Sequence, residues 1–402
     1  MDTSILHRDT WLEIHLDKIE NNIKQLREYL PPYVKFMAAV KADAYGHGDL
    51  QVAKIALKAN VDALAVSILS EALYLRKNGI KAPILVLTPI LPSDVNIAIE
   101  YDISITVFQL SWLKEMRLYK VGRKPLKIHL KIDTGLGRIG LRNKEELEAM
   151  LPLLTKEDIV IEGVYTHFAT ANSKNSAYFN KQLEAFSDMA QWIKSEGLDV
   201  SIFHCANSAA ALKYSNSFFD MVRIGVAIFG IYPSEDIRKT TPVHLESALS
   251  LHSKLLCVKK MKKGSFVGYD TAYETKSNEW IGTVPIGYAD GWFRCFQGFH
   301  VLVDGQEMPI IGKICMDQFM VRLPEKYAIG TPVVLIGKDG SNEITLEDLA
   351  NHIGSVPQEI PSMITYRVPK VYYYKGKIVE VLTERSWQPS KYPFNKAIAD
   401  AK

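Results

Sequence analysis

Lys41 comes directly after the apolar run 34–40, and the residues beyond it (Ala42, Ala44, Gly46, Gly48) are small. An amine at the end of a buried strand is partly desolvated. That lowers its pKa from about 10.4 and makes it a usable nucleophile or base. The small neighbours leave room for a ligand to lie against the backbone. Other polar residues also follow apolar runs: Asp133 and Arg138 after 126–132, His167 after 159–166, and His204, Asn207 and Ser208 after 201–203. Arg223 lies in the run 220–224, ahead of Gly225 and Val226. A lone loop lysine is usually just solvated. A lysine, two arginines, two histidines and a serine brought to one place would instead make a cationic pocket with an amine in it.

The elements that would bring them together follow one pattern. From about residue 33 to 230, short β-branched runs alternate with stretches of helical period. The strand candidates are 34–40, 63–67, 84–88, 104–108, 126–133, 159–167, 201–205 and 220–224. Helical candidates include 16–30, 70–79, 143–154 and 180–197, with apolar residues three and four apart. Such alternation means parallel strands with crossover helices. Eight strands favour closure into a (β/α)₈ barrel, with an open doubly wound sheet as the alternative. Barrel active sites form at the C-terminal strand ends, where these polar residues lie.

The texture changes after about residue 243. Apolar runs are separated by glycine turns, and Asp304-Gly305 and Asp339-Gly340 carry a hairpin signal. The expected organisation is a barrel over 1–242, with residues 1–15 packing on the second domain, a mostly β domain over 243–386 with one helix near 344–354, and a tail over 387–402.

The 402 residues are 47% hydrophobic and carry 48 Lys+Arg against 45 Asp+Glu, formally +3. This composition excludes a disordered chain. Basic residues are spread out, so no nucleic-acid partner is expected. The four cysteines form no CxxC pair, and the histidines lack HxxxH or HxH spacing, so no metal site is expected. The first residues are charged without an apolar core, and no apolar run is long enough to cross a bilayer, so a soluble cytoplasmic protein is expected.

The segment AAVKADAYGHG (38–48) resembles the cofactor-attachment motif of the alanine racemases. The resemblance continues in order through KIDTGLGRIG (131–140), THFATAN (166–172), HCANSAAAL (204–212), MVRIGVAIFGIYPS (221–234), VGYDTAYET (267–275), VPIGYADGW (284–292), GKICMDQFMV (312–321) and TYRVPKVY (365–372). It implies a (β/α)₈ barrel followed by a β domain, pyridoxal 5'-phosphate as cofactor, alanine as substrate, D-alanine supply for peptidoglycan or a related use, and a homodimer with shared sites. Lys41 would carry the cofactor as a Schiff base and act as base on the D-alanine side. Tyr269, from the other subunit, would act on the L-alanine side. Tyr45, Ser208, Tyr366 and the N–H groups of Gly225 and Val226 would hold the phosphate, with Asn207 beside them. Arg223 would meet the pyridine nitrogen, and His167 would connect Arg223 to Tyr269 and help lower its pKa. Arg138 and the Met316 N–H would bind the substrate carboxylate, Lys131 would be a site for carbamylation, and Tyr288 and Asp317 would stand near the entrance.

Three alternatives bear on this reading. Gly135-Leu136-Gly137-Arg138-Ile139-Gly140 has the spacing of a dinucleotide fingerprint, with Glu162 further on as its acidic residue, but it follows the fifth strand candidate rather than the first. A serine or broader amino-acid racemase would share every motif. A non-catalytic cofactor carrier would resemble the barrel alone. The chain also departs from the family pattern: Gly268 and Asp270 flank Tyr269 where serine and glycine are usual, Asn172 stands where an acidic residue is frequent, and the cysteine often found before TYRVPK is missing. An Asp270 pointing inward would raise the pKa of Tyr269.

Overall fold

Two compact units divide the chain in the computed structural model, which describes residues 6–383. One is His15–Leu249 with Ser355–Ser362; the other joins the N-terminal residues through Ile14 to Ser250–Gly354 and the chain from Met363 onward. The division falls between Leu249 and Ser250, a few residues beyond the expected one, and the second unit lends Ser355–Ser362 to the first. The expected tail 387–402 lies outside the described residues. Among the described residues no helix is long and apolar enough to cross a membrane.

Strand β1 (Thr10–His15) belongs to the second unit's sheet, and helix α1 (Leu16–Tyr29) begins the first unit, burying Leu16, Ile19, Ile23 and Leu26 at helical spacing. The barrel strands follow as β2 (Lys35–Ala39), β3 (Ala63–Val66), β4 (Ile84–Val86), β5 (Ser104–Val107), β6 (Leu126–Lys131), β7 (Ile159–Tyr165), β8 (Ile202–His204) and β9 (Met221–Ile224). Each pairs in parallel with the next, and β9 closes on β2. All eight expected strands form, each within its expected range, and the closed barrel replaces the open-sheet alternative.

The barrel interior is mixed in chemistry. Met37, Ala39, Ala63, Ala65, Leu85 and Met221 make an apolar cluster. Strands β5, β6, β8 and β9 also bury polar side chains: Ser104, Thr106, His129, Lys131, His204 and Arg223. Burying such groups is unfavourable unless they find partners, and hydrogen bonds satisfy them. Thr106 donates to the Val86 carbonyl (2.8 Å) and meets the Tyr165 hydroxyl (2.8 Å), which donates to the Leu87 carbonyl (3.1 Å).

The expected helix over 143–154 is two short pieces, Lys144–Glu148 and Leu151–Leu154. Pro152 has no N–H to return to the preceding turn, so the helix breaks ahead of it.

In the second unit β1 joins a sheet with β10 (Leu249–Lys254), β11 (Cys257–Met261), β14 (Glu279–Val284), β15 (His300–Val303), β16 (Gln306–Ile311), β17 (Phe319–Leu323), β18 (Pro332–Asp339), β20 (Lys370–Tyr374) and β21 (Lys377–Leu382). Strand β19 (Asn342–Ile344) pairs β18, while β12 (Phe266–Val267) and β13 (Tyr273–Glu274) form a separate hairpin. Asp304-Gly305 makes the two-residue turn between β15 and β16; in the β18–β19 hairpin the turn is Gly340-Ser341, one residue later than the Asp-Gly signal. A helix forms at Leu346–Ile353, capped by the Thr345 hydroxyl, which accepts from the Asp348 N–H.

Asp290 ties this unit together. It is fully buried, accepts from both Nη atoms of Arg8 (2.9 and 3.1 Å) and from the Gly287 N–H (3.1 Å), and lies 3.5 Å from Arg367 Nε. Removing one member of a buried ion pair costs about 3–5 kcal/mol. Asp290→Ala is expected to lower the unfolding free energy by about that much, read as a lower urea midpoint. A midpoint equal to wild type would contradict this.

Candidate active site

Lys41 follows β2, and the backbone after it is strained. Ala42, Asp43, Ala44 and Tyr45 all have φ between +51° and +55°, a left-handed turn costing roughly 1–2 kcal/mol per non-glycine residue. Such strain persists only where surrounding bonds hold it and is concentrated at functional sites. Here Glu71 is one holder: its carboxylate accepts from the N–H groups of Ala42 (2.7 Å), Ser67 (2.7 Å) and Ile68 (3.2 Å). Burial and the Arg138 guanidinium hold the Lys41 amine below its ordinary range, with Glu71 opposing and Arg223 adding to the shift.

Arg223 is buried on β9. Its Nη1 donates to His204 Nδ1 (3.0 Å) and the His204 carbonyl (3.2 Å), and its Nη2 to the Thr166 carbonyl (2.8 Å) and His167 Nδ1 (3.2 Å). A guanidinium only donates, so both Nδ1 atoms are acceptors. His167 is pushed well below its ordinary pKa by burial and then by Arg223, Lys131, Arg138 and Lys41. It is therefore neutral near pH 7 and carries its proton on Nε2. What it offers a neighbour is an N–H donor.

Lys131 is buried on β6, with its Nζ donating to the Ile132 carbonyl (2.9 Å). Burial, then Arg223, lowers its pKa to about 7, with Asp133 opposing. Asp133 organises the glycine loop, accepting from the N–H groups of Gly135 (3.1 Å) and Gly137 (3.0 Å). Burial would raise its pKa, but these N–H bonds prevail and hold it below the carboxylate range. The loop thus spends its N–H groups on its own chain, and no helix opens at Gly140, which removes the dinucleotide reading. Arg138 is exposed at the end of this loop.

A second cluster surrounds Gly225. Tyr45 is a neutral phenol, its pKa pushed up to about 12 by burial. A Cβ on Gly225 would lie 2.5 Å from the Tyr45 hydroxyl oxygen, so only glycine leaves this wall open. Ser208 Oγ accepts from the Gly225 N–H (3.0 Å), which leaves its own proton to donate. Asn207, rather than Ser208, caps the helix Ser208–Lys213, accepting from the Ala210 N–H (3.0 Å). Val226 begins a 3₁₀ turn directly after Gly225.

The remaining expected residues are on the other unit. In the turn Tyr288–Asp290 the N–H groups of Tyr288 and Ala289 donate to the Cys315 and Met316 carbonyls (3.0 Å each), and the Thr365 hydroxyl donates to the Ala289 carbonyl (3.0 Å). Asp317 accepts from Arg367 (2.7 Å), the neighbour of Tyr366. Tyr269 (63% exposed), Met316 and Tyr366 all present exposed side chains. Asp270 is exposed and pairs with Lys313 (2.5 Å), and this hydrogen bond keeps its carboxyl below the usual range. So Asp270 is already engaged, contrary to the concern that it turns inward. Gly268 suits its place, with φ +83°.

Glu71 and His129 are not among the residues that end the apolar runs. Glu71 occupies the third position of the helix Leu69–Lys77 and accepts from the N–H of the N-cap Ile68, the acidic half of a capping box without its hydroxyl partner. His129 alternates with Lys127 and Lys131 in a strand whose other residues are apolar, and that polar face inside a barrel was the visible sign.

Two family models match the chain: the alanine racemase N-terminal domain over residues 14–233 and the C-terminal domain over 248–372. The chain is 50% identical to an alanine racemase of Geobacillus kaustophilus, covering 93% of this chain and 97% of that one. It is 48% identical to an alanine racemase of Geobacillus stearothermophilus, covering 93% and 96%. The crystal structure of alanine racemase from Bacillus anthracis with bound L-Ala-P superposes with a TM-score of 0.91 at 47% identity, covering 93% of this chain and 97% of that one.

Proposed function

Given that the chain belongs to the alanine racemase family, we propose that it interconverts L- and D-alanine with pyridoxal 5'-phosphate, as a homodimer, and so supplies D-alanine for peptidoglycan. The observation that carries this reading is a desolvated lysine amine at a barrel strand end, under the influence of Arg138 on the exposed loop and of buried Arg223, with buried Lys131 in the same barrel.

The residues fit the cofactor. These cations suit an anionic ligand, and the open wall at Gly225 lies beside two hydroxyl donors, Tyr45 and Ser208. These, with the Val226 N–H and Tyr366, would hold the phosphate, while Asn207 fixes the helix start next to it. When bound, the cofactor supplies an electron sink for the Cα carbanion.

The chain's own groups do the rest. Lys41, held below its ordinary pKa, attaches the cofactor and then moves the proton on the D-alanine face. Tyr269 serves the opposite face, with its hydroxyl exposed on the second unit and supplied by the partner subunit. The Nε2–H of His167 is a donor suited to a phenolate oxygen. Arg223 would face the ring nitrogen as a donor that cannot take up a proton, which would restrain the sink and disfavour side reactions. Arg138 and the Met316 N–H hold the substrate carboxylate, and Tyr288 and Asp317 line the approach. The test is polarimetry: optical rotation of L-alanine decays to zero with enzyme and cofactor, and unchanged rotation would overturn the reading.

Lys131 allows a separate prediction. Carbamate forms from a neutral amine and carbon dioxide, and an amine with pKa about 7 is largely neutral above pH 7.5. Protein equilibrated with 13C-bicarbonate is expected to show a carbamate carbonyl resonance that Lys131→Ala lacks. No resonance in wild type would establish a free amine.

A further inference from the structure

The hydrogen-bond chain at Arg223 does not stop at its two histidines. His204 Nε2 lies 2.9 Å from His129 Nδ1, and His129 Nε2 lies 3.9 Å from a carboxylate oxygen of Glu162. Glu162 also accepts from the Ser104 hydroxyl and lies 3.6 Å from Lys127 Nζ. We infer that His129 is a positioning residue that fixes the tautomer of His204 and thereby the orientation of Arg223. This rests on the proposed reading for the role of Arg223 in the reaction, but not for the chain itself.

Donor logic sets the direction. Arg223 donates to His204 Nδ1, so neutral His204 has its proton on Nε2 and gives it to His129 Nδ1. His129 then has its own proton on Nε2, facing Glu162. Both rings are neutral: burial, then Arg223, holds His129 down at about 3 and His204 well below its ordinary value. The other groups facing the rings are Lys131 and the Tyr165 phenol, which stacks on His204 at 5.0 Å.

The backbone is adapted to this pair. The parallel register of β6 and β7 passes from Ile128↔Ile161 to His129↔Gly163, so Glu162 is the extra residue of a bulge, a device that re-aims a side chain. Gly163 lets the His129 ring in, because a Cβ there would lie 2.4 Å from Nδ1 and 2.6 Å from Cε1. A bulge, a glycine and two buried imidazoles are a poor way to fill a barrel, where apolar side chains pack without desolvation cost. They make sense as a support that holds a guanidinium still.

The test uses holoprotein labelled with 15N-histidine. Both His204 and His129 are expected to show a protonated Nε2 and an unprotonated Nδ1. A protonated Nδ1 on His204 would overturn the inference. Substitution supplies the second readout. His129→Asn keeps an acceptor oxygen near the Nδ1 position and is expected to preserve the His204 tautomer and most activity. His129→Leu is expected to mix the His204 tautomers and lower kcat about 10- to 100-fold, the size of effect that losing an orienting partner has on metal-bound histidines. KM for alanine should hold, because Arg138 binds the carboxylate. Equal losses in both variants, or none in either, would overturn the positioning role. If His129→Leu does not fold, the labelled wild-type and His129→Asn spectra decide. Absence of racemisation by wild type would count against the proposed function, and the spectra would then judge the chain of donors alone.

Discussion

Replacing Lys41 with alanine is expected to abolish racemisation in both directions and to remove the visible absorbance of the attached cofactor. Both losses would have one origin, because in the proposed function the same amine attaches the cofactor and moves a proton. Nearby cations do not substitute for it: a guanidinium cannot accept a proton, and Lys131 donates to the Ile132 carbonyl. The expected loss exceeds the 10²–10⁴ that one acid–base group contributes, since attachment fails as well. Wild-type apoprotein provides a pH test. Only a neutral amine adds to an aldehyde, so the rate of chromophore formation should rise with pH and level off above the Lys41 pKa. Burial and Arg138 place that midpoint below the ordinary lysine value. A midpoint at or above 10.5, or retained absorbance in Lys41→Ala, would remove Lys41 from its role.

The barrel was legible because parallel strands buried on both faces read as continuous apolar runs, and the residue ending each run then falls at the mouth. Lys41, His167 and His204 were found in that way. Other features left no such trace. The left-handed turn over Ala42–Tyr45 is built from residues of which only Asp43 is of a type that favours it, and a bond from the Ala42 N–H to the Glu71 carboxylate helps hold it in place. The charge of His167 depends on what surrounds it: sequence supplies an imidazole, while burial beside Arg223 and Lys131 makes it neutral. Glu162 looked like the acidic end of a dinucleotide fingerprint. A one-residue bulge, invisible in IVIEGVYTH, sets it against Ser104 and Lys127 instead. The break at Pro152 was readable and outweighs the helical period around it.

Tyr269→Phe should separate the two faces of the reaction. The substitution removes one hydroxyl from an exposed side chain, so folding is expected to be unaffected. Net racemisation should fall by about 10²–10⁴, and equally in both directions, because the equilibrium between enantiomers is fixed and a catalyst cannot alter it. Net rates therefore cannot say which face lost its base. Exchange of the α-proton in deuterated water can. With Lys41 intact, D-alanine should still lose its α-proton and regain deuterium on the same face, at a rate close to wild type. L-alanine, whose proton points to the missing hydroxyl, should barely exchange. Loss of exchange from both enantiomers would mean that Tyr269 does something other than move the L-face proton. Mixing unfolded Tyr269→Phe and Lys41→Ala chains and refolding them together tests where the hydroxyl comes from. If the partner subunit supplies it, hybrid dimers contain one site with both bases and regain activity that neither variant has. If each chain completed its own site, every site in the hybrid would lack one base, and the mixture would stay as inactive as its parts.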